Sequence, residues 1–169
     1  MNSVALFTDV SLNPKSKYGV GAYLILPASF LDIPPHRIER SRIADRLVIR
    51  TFENTSSTKL EVQTVLWAHE VYRNEYMFSR TVKLRVFSDS QCVAGLLKRR
   101  PALETTSFIG RRTHRLLKNA ALYRTFYEFH DELGFEVIKV AGHAPSDSHD
   151  TIHRIFSYVD KEVRKALYR

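Results

Sequence analysis

Only one cysteine, Cys92, stands in the 169 residues. No disulfide can therefore form within the chain, and no zinc cage can be built from thiolates. A reducing, cytoplasmic setting is the expectation. Long apolar runs are also missing. The longest uncharged stretch, Tyr18 to Leu31, is broken by Pro27 and falls short of the roughly 20 residues that span a bilayer. An Asp appears by position 9, and no basic segment leads into an apolar core as in a secretory leader. Internal repeats and low-complexity linkers are absent, so one domain over residues 1–169 is expected, of the α/β class given its alternating strand and helix patterns. Negative charge is the scarcer sign. Against 26 Lys and Arg stand 18 Asp and Glu, a formal charge of +8.

The positions of those scarce acids are informative. Val4-Ala5-Leu6-Phe7-Thr8-Asp9 and Val82-Lys83-Leu84-Arg85-Val86-Phe87-Ser88-Asp89 each read as a strand delivering an Asp at its C-terminal end. Open α/β sheets place their sites along that edge, so neighbouring strands of this kind would bring both carboxylates into one crevice. Hard cations such as Mg2+ and Mn2+ take such oxygen ligands. An Asp after a strand also serves as a turn residue or helix N-cap. Glu61 has a similar local explanation, because Thr58-Lys59-Leu60-Glu61 fits the capping box before an apolar helix.

The ordered set carries more than its members. Thr8-Asp9-Val10-Ser11, then Lys59-Leu60-Glu61 opening a helix, then Ser88-Asp89-Ser90-Gln91, then Gly142-His143 after a last strand resembles the ribonuclease H family, type I. The resemblance implies a five-stranded mixed sheet with the first three strands antiparallel, flanked by helices. It also implies two Mg2+ or Mn2+ ions held by Asp9, Glu61, Asp89 and Asp160, with His143 assisting proton movement or product release. The fourth acid is chosen because Val159-Asp160-Lys161-Glu162-Val163-Arg164-Lys165-Ala166 resembles the family's terminal helix; Asp147 and Asp150 are nearer to the Gly-His pair and remain rivals. Asp9-Val10-Ser11 departs from the family's usual Asp-Gly-Ser. The implied activity is hydrolysis of the RNA strand of an RNA/DNA hybrid, without an obligate protein partner or a membrane. The alternatives are a non-catalytic nucleic-acid-binding module of the same fold, or a related nuclease acting on DNA.

Lys98, Arg99, Arg100, Arg111, Arg112, His114, Arg115 and Lys118 crowd the connection from Pro101 to Gly110. Such clustering is an electrostatic footprint for phosphates, although a charge run is also an ordinary solvated face. Ser11, Asn13, Ser57 and Gln91 are expected to read the 2'-hydroxyl side of a substrate. Spacing predicts a second strand over Val20 to Leu26, a long loop marked by Pro27, Pro34 and Pro35, and a third strand near Leu47 to Phe52. Helices are expected from Thr58 to Tyr72, briefly after Asp89 until Pro101 interrupts, and from Arg112 to Leu133. Phe135 to Val140 reads as the last strand, and Ile152 to Leu167 as an amphipathic final helix.

Overall fold

A computed structural model describes residues 3–76, 82–142 and 150–168. Strands β1 (Ser3–Asn13), β2 (Tyr18–Pro27), β3 (Val48–Phe52), β4 (Lys83–Ser88) and β5 (Glu136–Lys139) form one sheet in the order β3-β2-β1-β4-β5. The first three are antiparallel neighbours, whereas β4 runs parallel to β1 and β5 parallel to β4. The mixed α/β sheet expected from the sequence is therefore present.

Strand alternation assigns each side chain to a face. Leu6, Tyr23, Leu84 and Val86 pack beneath α2 (Ser57–Tyr76), α3 (Gln91–Thr105) and α4 (Ala120–Leu133). Ala5, Phe7, Val20, Ala22, Leu24 and Phe87 face the other way, against α1 (Arg40–Arg46) and α5 (Thr151–Leu167). Burial on both faces is why β1 begins as an unbroken apolar run. Phe7 and Phe87 stack at 4.7 Å across the β1–β4 pair.

Several element boundaries differ from expectation for identifiable reasons. Strand β1 continues past Asp9 to Asn13, because β2 pairs with it along its whole length, from Val4 opposite Pro27 to Asn13 opposite Tyr18. The hairpin turns where the Asn13 side-chain oxygen accepts from the N–H groups of Lys15 and Ser16. The loop after Pro27 contains α1, whose Ile43 is buried. Helix α2 starts at Ser57, so Thr58 lies inside it and cannot be its N-cap.

Helix α3 passes through Pro101 and ends at Thr105. Proline inside a helix costs about 3 kcal/mol, but Leu96 and Leu103 are buried on either side of it. Burying two such side chains contributes about 1.5–3 kcal/mol each, enough to carry the helix across. The opposite happens at Arg112 to Asn119, which form turns and bends before α4 begins at Ala120. Here a bridge between Ile109 and Leu116 closes a loop, with the Gly110 N–H donating to the Arg115 carbonyl at 2.8 Å and His114 in the left-handed region at φ 52°. As a helix this stretch would have set Arg111, Arg112, Arg115 and Lys118 at three- and four-residue spacings, where like charges repel.

Helix α2 approaches β2 closely because two positions lack a side chain. A Cβ at Gly21 would stand 2.1 Å from Thr64 Oγ1 and 3.0 Å from Thr64 Cγ2, so rotating the threonine exchanges one clash for another. Its hydroxyl is also held by the Leu60 carbonyl at 2.8 Å. We expect Gly21→Ala to lower unfolding stability by about 1–3 kcal/mol, read from a urea titration; an unmoved midpoint would show that α2 is not so tightly seated.

Candidate active site

Parallel pairing of β1 with β4 ends at Phe7 opposite Phe87. Carrying that register two residues further sets Asp9 level with Asp89. Asp9 thus occupies the expected edge although it is in mid-strand, since its parallel neighbour stops while the antiparallel one continues. Asp89 follows β4 in the two-residue link to α3. The Ser88 hydroxyl accepts from the Ser90 N–H at 3.1 Å, and the Ser90 hydroxyl accepts from Val93 N–H at 3.2 Å. Ser90 is therefore the N-cap of α3, which leaves that local duty off Asp89.

Glu61 lies in the first turns of α2, and α5 carries Asp160. Asp9 is 3% exposed. Burial pushes its carboxyl well above the usual range, and the charges of Asp89, Asp160 and Glu61 push it further; only the Val10 N–H opposes them. Glu61 is pushed up to about 8, first by burial and then by Asp89. Asp9 Oδ2 and Glu61 Oε2 are buried without a hydrogen-bond partner among the described residues. Asp9 thus lies within electrostatic reach of Asp89, Asp160 and Glu61, and Glu61 within reach of Asp89.

Buried carboxylate oxygens without donors are what a hard cation would satisfy, so by chemistry the residues fit Mg2+ or Mn2+. By grouping they are looser. Among the described residues no three His, Cys, Asp or Glu side chains are drawn together as a ready-made donor cluster. The first observation weighs more, because four like charges repel and spread when nothing neutralises them.

Asp160 pairs with Arg164 at 3.2 Å, a contact that sequence spacing of four residues allows. Its rival Asp150 is the N-cap of α5, accepting from the His153 N–H at 2.8 Å. His143 and Asp147 lie outside the described residues. Gly142 is described, and a Cβ there would stand 3.6 Å from Asp89 Oδ2, so the backbone leading into His143 passes beside the acids. The Val140 N–H donates to the Ser88 carbonyl at 2.9 Å and fixes that approach.

The expected nucleic-acid contacts divide by their present partners. Lys98, Arg99, Arg111, Arg112 and Arg115 are exposed, with Arg99 lying 5.7 Å over the Tyr123 ring. Arg99 and Arg111 also line an open cavity of about 260 Å³ with Leu103, Thr106 and Ile109. Arg100 differs. Its guanidinium grips both Asp131 oxygens at 2.6 and 2.8 Å and Glu104 at 2.6 Å, and it holds the Asp131 carboxyl below the usual range. That arginine ties α3 to α4, a role the run Lys98-Arg99-Arg100 does not reveal because Asp131 is 31 residues away. Asn13 holds the hairpin turn, and Gln91 accepts from Lys139. Ser57 is exposed at the start of α2, and Ser11 is half-buried in β1.

No sequence-family profile and no curated protein sequence matches the chain. Solved structures do. The solution structure of the PFV RNase H domain matches with a TM-score of 0.65 at 14% identity, over 99% of this chain and 94% of that one. A foamy viral protease-reverse transcriptase in complex with dsDNA matches at 0.57 with 10% identity, over 94% of each chain. The foamy viral protease-reverse transcriptase in complex with RNA/DNA hybrid gives 0.55 with 9% identity, over 83% of this chain and 17% of that one. At such identities the likeness speaks for architecture, and the fold of this chain is ribonuclease H-like.

Proposed function

We propose that the protein is a metal-dependent endonuclease that hydrolyses the RNA strand of RNA/DNA hybrids. The observation that carries this reading is Asp9, a buried carboxylate with an unpartnered oxygen in the field of three other acids. Asp9, Glu61, Asp89 and Asp160 would hold Mg2+ or Mn2+, two ions in all. Bound there, the ions supply Lewis-acid chemistry, activating water and stabilising the leaving oxygen. The chain's own groups do the rest. The four carboxylates would gather the cations beside the sheet edge, while Lys98, Arg99, Arg111, Arg112 and Arg115 would hold substrate phosphates. Ser11, Ser57 and Gln91 stand on the elements that bear Asp9 and Glu61 or directly follow Asp89, where they can meet 2'-hydroxyls. His143 follows the Gly142 backbone that borders Asp89 and would move protons there.

No helix among the described residues is long and apolar enough to cross a membrane. The single half-buried thiol of Cys92 suits the reducing cytoplasm, where we place a single catalytic domain acting without an obligate partner.

Labelled RNA/DNA hybrid, single-stranded RNA, duplex RNA and duplex DNA, each incubated with Mg2+ or Mn2+, test the proposal together. We expect cleavage of the hybrid alone, leaving 5'-phosphate and 3'-hydroxyl ends. The loose grouping of the acids favours one second reading, a non-catalytic binding module, and hybrid bound but uncut with either metal would establish it. Cleavage of duplex DNA in preference to hybrid would make the protein a DNA nuclease of this fold.

A further inference from the structure

The connection from β2 to β3 brings a second concentration of cations to the sheet face opposite the loop that bears Arg111, Arg112 and Arg115. From Arg37 to Arg50 five arginines face only two acids, Glu39 and Asp45. Helix α1 packs on α5, where Arg40 grips Glu162 at 2.9 Å through its terminal nitrogen and 3.1 Å through Nε. Arg164 neutralises Asp160. Both acids in the second half of α5 are thereby paired, and Lys161 and Lys165 remain exposed beside them. Arg37, Arg42 and Arg46 are exposed too, and none of these five cations forms an ion pair with a described residue.

Two of the arginines are held in position. The guanidinium carbons of Arg42 and Arg46 lie 5.6 and 5.2 Å from the Phe30 ring centre, which reduces the rotamer freedom they would give up on binding. Planar guanidinium forks match phosphate oxygens. Ile43, the one large apolar side chain of α1, is turned into the core, so α1 has no broad apolar face to insert into a bilayer. Glu162, the anchor of α1, is two residues from Asp160. Arg40, through Glu162, ties α1 to the helix that carries Asp160, and from there the patch runs to Arg46, which lines a cavity with Ser3, Val4 and Val82 at the far end of β1 and β4.

We propose that α1 and the second half of α5 form a second phosphate-binding surface that grips the backbone of a nucleic-acid duplex beyond the point of cleavage. This rests on the reading that the protein acts on nucleic acid. Its test is hybrid binding as a function of salt, comparing the parent protein with the triple variant Arg37→Gln, Arg42→Gln, Lys165→Gln. Each phosphate that the protein no longer neutralises flattens the slope of log affinity against log salt by about 0.9, so we expect a slope shallower by about two to three on a long hybrid. On a hybrid trimmed to the stretch over the carboxylates, affinity should not change. The double variant Arg37→Gln, Lys165→Gln leaves the Phe30 contacts intact and should show the smaller share of the same effect if the triple variant fails to fold.

An unchanged slope in a folded variant overturns the proposal. If Arg111→Gln, Arg112→Gln, Arg115→Gln weakens the long hybrid and the α1–α5 variant does not, this surface is a solvated face and the nuclease reading survives. If the parent binds no nucleic acid, both readings fall. Phosphatidylserine vesicles that capture the parent but not the triple variant, with equal hybrid binding by both, would assign the surface to a membrane instead.

Discussion

Replacing Asp9 by Asn is expected to abolish hybrid cleavage while making the metal-free protein more stable. The side chain keeps its shape, so no cavity opens in β1 opposite Ala22, and the Val10 N–H still has an oxygen to donate to. Only the charge goes. In the folded protein that charge is disfavoured by burial and by Asp89, Asp160 and Glu61 in turn, so its removal relieves repulsion between groups that the fold holds together. Catalysis is expected to respond in the opposite direction, because a cation held there would be deprived of its most buried ligand. Weakening Lewis-acid stabilisation by about 4 kcal/mol lowers the rate about 10³-fold. Thermal shift completes the test. Cations at a hundredfold excess over their dissociation constant stabilise a folded protein by about 2.7 kcal/mol; the parent should show such a rise with Mg2+ or Mn2+, and Asp9→Asn should lose most of it. Cleavage retained to within tenfold, or a metal-free melting temperature that falls, would remove Asp9 from the centre of the site.

That opposition between stability and function also explains which parts of the chain were legible in its sequence. Strand alternation was readable because Ala5, Phe7 and Phe87 go to one core and Leu6, Leu84 and Val86 to the other, with no local preference in conflict. Asp9 and Asp89 drew attention because each closes an apolar run; at Asp89 the alternative local roles are taken by Ser88 and Ser90, and at Asp9 the strand continues, so no turn or cap is needed there. The end of β1 was not readable. Thr8, Asp9 and Ser11 look like a strand running out, and only pairing with Val20, Ala22 and Tyr23 of β2 extends it. Pro101 misled for the reverse reason, since a local rule was overridden by burial of Leu103 in a core built from distant segments. The loop from Gly110 to Asn119 carried helical spacing in its apolar residues, but Leu116 is 55% exposed, so there was no buried face to hold a helix together. Arg100 and Arg111 are alike in sequence context and differ in structure because one finds Asp131 and Glu104 and the other finds solvent. Long-range partners of single charges leave no local trace.

His69 is such a case, and it should govern how the protein responds to acid. It lies fully buried on α2, tilted against Phe135 at 4.2 Å and near Phe126 and Phe129 at 6.2 and 5.7 Å. Neither ring nitrogen has a hydrogen-bond partner among the described residues. Burial, reinforced by the charge of His130, pushes it down to about 3, so the ring stays neutral in the folded protein while the unfolded chain takes up a proton near pH 6.5. The unfolded state then binds more protons, and the stability is complete above about pH 6.5 and lost as pH falls toward 3, at about 1.4 kcal/mol per unit. Glu61 acts with the opposite sign. Its folded value of about 8 lies above the unfolded 4.5, so its contribution is present below 4.5 and lost as pH rises through 8. Between the two unfolded values the terms oppose, and below about pH 4.5 the histidine is left alone. A His69→Leu variant, close in volume, should match or exceed the parent at pH 8, because it removes two unpartnered nitrogens from the core. Its advantage in denaturant titrations should then widen steadily below pH 6.5. A difference that stays constant from pH 8 to pH 4 would mean that the imidazole reaches solvent or a donor in solution, and that acid unfolding starts elsewhere.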